Sequence, residues 1–254
     1  MKKRKLKLSP LSVLSLVREL RRGAGDPRPL AISGARELVP LLARELRAGG
    51  DASAVVEGRF EGASVLVWIG APDEDELHRA SRAGVPIIAV TEADTVPYVL
   101  ATDLVRVPPG AGFPVEEIAR AVARRLGEDS TSLAARLPVL RGPVCDELIH
   151  AFSKRNALIA AAVFIPGVDL PVLTVNQSRL VLRIGLAFGH EVDHARGLEL
   201  LGVVGAGLGF RAIARELLDV VPFAGWAVKG AVAYTGTRAV GEAAVRYFEV
   251  RDRA

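Results

Sequence analysis

The residue types best suited to chemistry in this 254-residue chain stand together at His190-Glu191-Val192-Asp193-His194. Two histidines one turn apart on a helix face, with a glutamate beside the first, can hold zinc and activate its water for hydrolysis. Glu199 or Glu216 would then supply the third protein ligand. The surroundings argue against that chemistry. Gly189 stands directly before the motif, where a preceding helix should stop, so His190–His194 is expected to straddle a loop. Asp193 fits the N-cap of a following helix, and the sheet that shapes a zinc protease cleft has no counterpart in this half. The expectation is two surface histidines at a helix junction and no metal. A zinc-dependent hydrolase using His190, Glu191 and His194 is the alternative.

A second place for chemistry is the turn Ser33-Gly34-Ala35-Arg36-Glu37-Leu38, which follows the first strand-like run, Leu30-Ala31-Ile32. A phosphate-binding loop there needs several glycines and a lysine, so that backbone amides and an ammonium can surround phosphate oxygens. This turn has one glycine, no lysine, and a carboxylate where phosphate would sit. Thr91-Glu92-Ala93-Asp94 resembles the guanine-reading Asn-Lys-x-Asp of GTPases with only Asp94 retained, and such an Asp more often caps the next helix. No Gly-x-Ser-x-Gly elbow exists, nothing activates Cys145, and His150 is expected to be packed or at a boundary beside Ile149 and Phe152. These residues predict no catalytic group and no cofactor. An atypical nucleotide-binding protein is a second alternative.

The elements that position these residues divide the chain. From Pro29 to Asp129, short β-rich runs (Val55-Val56, Val65–Ile69, Val85–Val90, Leu104–Val107) alternate with amphipathic helices, the clearest over Val115–Leu126. That alternation predicts a small parallel sheet covered on both faces, Rossmann-like or GTPase-like. Gly127–Ser132 is polar, and Pro138 and Gly142-Pro143 interrupt helix, so a linker is expected between 128 and 142. After it, an apolar, glycine-punctuated run predicts four helices: Val144–Phe164, Leu170–Phe188, Ala195–Val221 and Trp226–Phe248. The fold class is thus α/β plus all-α, with residues 1–25 a leader, 26–128 the α/β domain and 142–250 the helical bundle.

Charge is placed unevenly. Residues 1–22 carry +7 while the whole chain carries +4, so the remainder is −3. Lys2, Lys3, Arg4, Lys5 and Lys7 head a stretch in which Leu11, Leu14, Val17 and Leu20 recur at helical spacing. A basic amphipathic leader suits anionic lipid, at about 1 kcal/mol per basic residue near the surface. It is a poor secretory signal, because its apolar run is short and holds Ser12 and Ser15. Nucleic acid is not expected, since no aromatic groove elements accompany the charge. The single cysteine excludes an intramolecular disulfide framework and fits a reducing compartment.

The helical half is rich in small residues, as tightly packed or membrane bundles are. Its longest charge-free run, Asn156–Val168, has 13 residues and contains Pro166-Gly167. A spanning helix needs about 20 apolar residues, so a shallow hairpin or a bundle lying in the interface fits better. Trp226, after Pro222-Phe223-Ala224-Gly225, is placed to anchor at a lipid interface. The glycine-rich faces fit packing within one chain or between copies as a homo-oligomer.

Phe164-Ile165-Pro166-Gly167-Val168-Asp169, Gln177–Arg183, Gly205–Arg211, Val221–Trp226 and Ala233-Tyr234-Thr235-Gly236-Thr237 resemble the bacterial family labelled domain of unknown function 697. The resemblance covers roughly Val144 to Phe248. It implies a membrane-associated helical module, found with Era-like or dynamin-like GTPases, and carries no catalytic residues. The expected protein is a non-enzymatic adaptor or GTPase partner at the cytoplasmic face of the bacterial inner membrane.

Overall fold

The computed structural model describes residues 28–108, 110–162, 170–190 and 226–252. They fall into two compact units. One is Asp26–Leu148 with Ala187–Gly189; the other takes in Ile149–Leu186 and the described residues from His190 onward.

In the first unit, five strands form one parallel sheet: β1 (Leu30–Gly34), β2 (Val55–Glu57), β3 (Val65–Ile69), β4 (Ile87–Thr91) and β5 (Leu104–Arg106). Their order is β2-β1-β3-β4-β5. This is the flavodoxin-like doubly wound order, whose point of reversal lies between β1 and β3. Leu30 pairs in register with Val55 on one side and Val65 on the other. Continuous apolar strands are what burial on both faces demands, and β3 and β4 are buried throughout.

Side chains alternate between the faces. Ala31, Leu66, Trp68, Ile87 and Ala89 share one cluster with Leu77 and Ala80 of α2 (Glu74–Arg82). The alternate residues Leu30, Ile32, Val65, Val67, Ile88 and Val90 point the other way and are equally buried. There α1 (Val39–Arg47) lies against β1 and β2, and α3 (Val115–Leu126) against β4 and β5. Each fully buried aliphatic side chain contributes about 1.5–3 kcal/mol.

Two crossovers lack the helix that a regular alternation leads one to expect. Between β2 and β3, residues 58–64 return directly, with the Gly58 amide on the Ile32 carbonyl and the Ser64 amide on that of Pro29. Phe60 and Ala63 fill the sheet face a helix would cover. After β4, residues 92–100 are irregular, so Asp94 caps no helix. It pairs instead with Arg106 across 3.1 Å.

The stretch expected as a linker is folded. Ser130 and Thr131 hydroxyls donate to the Gly127 and Glu128 carbonyls, which lets these polar residues lie buried. Leu133, Leu137, Leu140, Val144 and Leu148 recur at helical spacing and are at most 1 % exposed. Leu133 lies in α4 (Thr131–Arg136), Leu137 follows its end, Leu140 closes a single turn at Pro138–Leu140, and Val144 and Leu148 lie at the start of α5 (Arg141–Ala162). Pro143 falls in the first turn of α5, where proline is tolerated. The change of unit therefore comes at Leu148/Ile149, inside a helix, rather than between 128 and 142.

In the second unit, α5 from Ile149 on packs with α6 (Leu170–Ala187) and α7 (Trp226–Asp252). A Cβ on Gly241 would stand 2.5 Å from Ile149 and 3.2 Å from Leu180; one on Gly185 would stand 2.9 Å from the Phe248 ring. Glycine at these positions lets the helices approach closely. Three of the four expected helices are thus present; Ala195–Val221 lies outside the described residues. Among the described residues no helix is long and apolar enough to cross a membrane.

Candidate functional site

Open parallel sheets bind ligands outside the carboxyl ends of their strands, at the point where strand order reverses. Here that point is flanked by the β1 turn and the β3 loop, which approach each other closely. Gly34, with φ 120°, lies so near β3 that an added Cβ would sit 2.1 Å from the Ile69 carbonyl oxygen. The Ala35 amide donates to that same oxygen at 2.8 Å, and the Gly70 amide to Val90 at 2.9 Å. The Ser33 hydroxyl donates to Glu76 at 2.9 Å. Two backbone donors and the hydroxyl that could meet a phosphate are thus engaged internally, and the hydroxyl by a carboxylate.

The adjoining helix start adds to this. Asp73 caps α2 by accepting from the Glu76 amide at 3.1 Å, and Glu74, Asp75 and Glu76 fill its first turn. Carboxylates suit the positive end of the helix dipole and repel any anion that would use it. A shallow recess of about 510 Å³ opens beside them, lined by Pro72, Asp73, Glu74, Asp75, His78 and Tyr98. The His78 and Tyr98 rings stack at 5.1 Å, with an interplanar angle of 15°. Tyr98, with φ 64°, is the only non-glycine residue of positive φ among the described residues. That conformation costs roughly 1–2 kcal/mol, which the stacking partly offsets, at about 0.5–1.5 kcal/mol. The recess would favour a cation over an anion. Among the described residues no three His, Cys, Asp or Glu side chains converge to hold a metal.

His190 stands beyond the end of α6. Gly189 has φ 80°, and the His190 amide bonds the Gly185 carbonyl at 3.0 Å, the helix-stopping pattern in which a left-handed glycine closes the last turn. His190 Nε2 lies 3.6 Å from Asp252 Oδ1, and its ring is 5.1 Å from that of Phe248. Glu191 and His194 lie outside the described residues, as do Lys2, Lys3, Arg4, Lys5 and Lys7. Trp226 begins α7, but its side chain is likewise outside them. Cys145 is buried at 1 % exposure. His150 is exposed rather than packed, with Nδ1 3.4 Å from the Tyr234 phenol. The Glu242 carboxylate, and then Tyr234, hold the Arg238 guanidinium above its ordinary pKa.

Sequence reasoning missed two polar arrangements. In the helical unit, Asn156 donates to Thr237 and accepts from Asn176, each at 2.9 Å, and Gln177 reaches Thr237 at 3.4 Å. Asn156 and Thr237 have no exposed surface. In sequence, Asn176 reads as one polar position of a face shared with Arg179 and Arg183, which hides this. The signal was Asn156 itself, an amide at the helical spacing of the buried Ile149, Phe152 and Ala160 on α5. In the α/β unit, Asp51 accepts from the Ser53 amide and hydroxyl and from Arg136 Nε. A Cβ on Gly50 would stand 2.5 Å from the Arg136 carbonyl, so glycine lets the two segments meet.

No protein-family model, curated protein or solved structure matches this chain.

Proposed function

We propose that this chain is a non-enzymatic adaptor, acting at an anionic membrane surface as the partner of a GTPase. In this reading the α/β unit is GTPase-like or Rossmann-like in outline and unable to hold a nucleotide, and the helical half is the membrane-associated module implied by the resemblance to domain of unknown function 697. The observation that carries it is the engaged switch point. With Ser33 on Glu76, the Ala35 amide on Ile69 and four acidic residues opening α2, the place for a phosphate offers carboxylates instead of donors. The +7 of residues 1–22 supports attraction to anionic headgroups.

Melting curves of the full chain with GTP, GDP and ATP, each with magnesium, test the first half of the proposal. A ligand at a hundred times its Kd adds about 2.7 kcal/mol to the folded state, several degrees for a domain of this size. The expected result is no shift with any of the three. A saturable rise with one of them overturns the adaptor reading in favour of a nucleotide-binding protein.

A further inference from the structure

Three of the four exposed large apolar side chains described in the second unit lie at one end, with Val250 at the other, and we infer that the end holding three is the membrane-docking surface. The inference rests on the membrane reading above and goes further by naming the surface that enters the lipid. Packing contacts order the three helices in layers. Gly185 meets Phe248 in one layer; Ile149, Leu180 and Gly241 meet in the next; Asn156, Asn176 and Thr237 in the one after. Gly230 then lies against Ala157 and Ala161. So α6 and α7 run parallel, with α5 antiparallel to both. The C-terminal turn of α5 and the N-terminal turns of α6 and α7 share one end.

Leu158, Val172 and Val228 are 72 %, 47 % and 47 % exposed there, one from each helix. Large apolar side chains left in water on three neighbouring helices at one end mark an interaction surface. The charges around them say which kind. From Ile149 to Ala162, along all of α6, and from Trp226 to Gly241, these stretches hold basic residues and no acidic one. Lys154 precedes Leu158 by one turn and Lys229 follows Val228 directly, while the acids of α7, Glu242, Glu249 and Asp252, all lie in its other half. An apolar end set beneath lysines matches a bilayer of anionic lipid, where aliphatic groups enter the acyl boundary and ammonium groups reach the headgroups.

The test is flotation of the full chain with vesicles of phosphatidylcholine plus phosphatidylglycerol, at low and high salt. It compares wild type, the combined Leu158→Asp/Val172→Asp/Val228→Asp variant, and a leader variant with Lys2, Lys3, Arg4, Lys5 and Lys7 changed to Gln. The end variant is expected to lose salt-resistant binding by about tenfold or more, because it places carboxylates where lipid would be. The leader variant should lose only the salt-sensitive part. If the end variant floats like wild type at high salt, this inference is overturned while the membrane reading stands. If wild type does not float at all, both fall. A second readout needs no destabilising change: Leu158→Cys carrying a polarity-sensitive fluorophore, with Cys145 buried, should brighten on these vesicles. Unchanged emission from vesicle-bound protein would also overturn it.

Discussion

At the scale of single residues, the α/β unit is defined by which groups are already engaged. Glu76 would be an unremarkable helix-start carboxylate if it did not accept from Ser33, and Gly34 an ordinary turn glycine if Ile69 were not against it. The sequence announced part of this: one glycine, no lysine and a carboxylate after β1 already spoke against a phosphate loop. It could not show that the blocking carboxylate is Glu76 rather than Glu37, because residues 43 positions apart meet only once the sheet is wound. Asp51 is another case. The Ser53 hydroxyl, then the Ser53 amide and Arg136, lower its pKa from the ordinary 3.8 to about 2. A carboxylate depressed in the folded state adds stability above its unfolded pKa and loses it as pH falls through the folded one. Asp51→Asn should therefore melt below wild type at neutral pH. The gap should narrow as pH falls from about 3.8 to about 2 and close below that. The group is solvent-exposed, so the gap will be small; a gap unchanged at acid pH would contradict this assignment.

At the scale of elements, boundaries marked by local chemistry were legible. Val65–Ile69 and Val115–Leu126 occupy the residues expected of them, and α6 stops where Gly189 makes it stop. What failed was inference from regularity. Polar Ser130 and Thr131 read as linker because their hydroxyls' local acceptors are invisible in sequence, and Asp94 read as a cap because a helix was assumed to follow β4. The buried amide layer belongs to this scale, since it joins α5, α6 and α7 through Asn156. Asn156→Ala removes one donor and one acceptor together and strands Asn176 and Thr237 in the interior, at a cost of about 1–3 kcal/mol. Urea unfolding followed by helical circular dichroism should show the midpoint fall with the slope unchanged. An unaltered midpoint would mean that the layer contributes nothing to the packing of these helices.

At the scale of the whole molecule, the general architecture was open to sequence reasoning: a parallel sheet with helices, followed by a helical portion. Strand order was not, because local periodicity carries no information on whether β3 lies beside β1 or β2. The division of the chain at Leu148/Ile149 was hidden for a similar reason, since α5 serves both units without a break. His190 lies past the end of α6, and Glu191 and His194 lie outside the described residues, so the charge pattern is the more informative feature. The central proposal is that this chain acts at an anionic membrane surface. Fractionation of cells expressing the full chain, with high-salt washes of the membrane pellet, tests it most directly. The account predicts that the protein pellets with membranes and that a substantial part stays there after high salt. Recovery of the protein in the soluble fraction before any wash would contradict it.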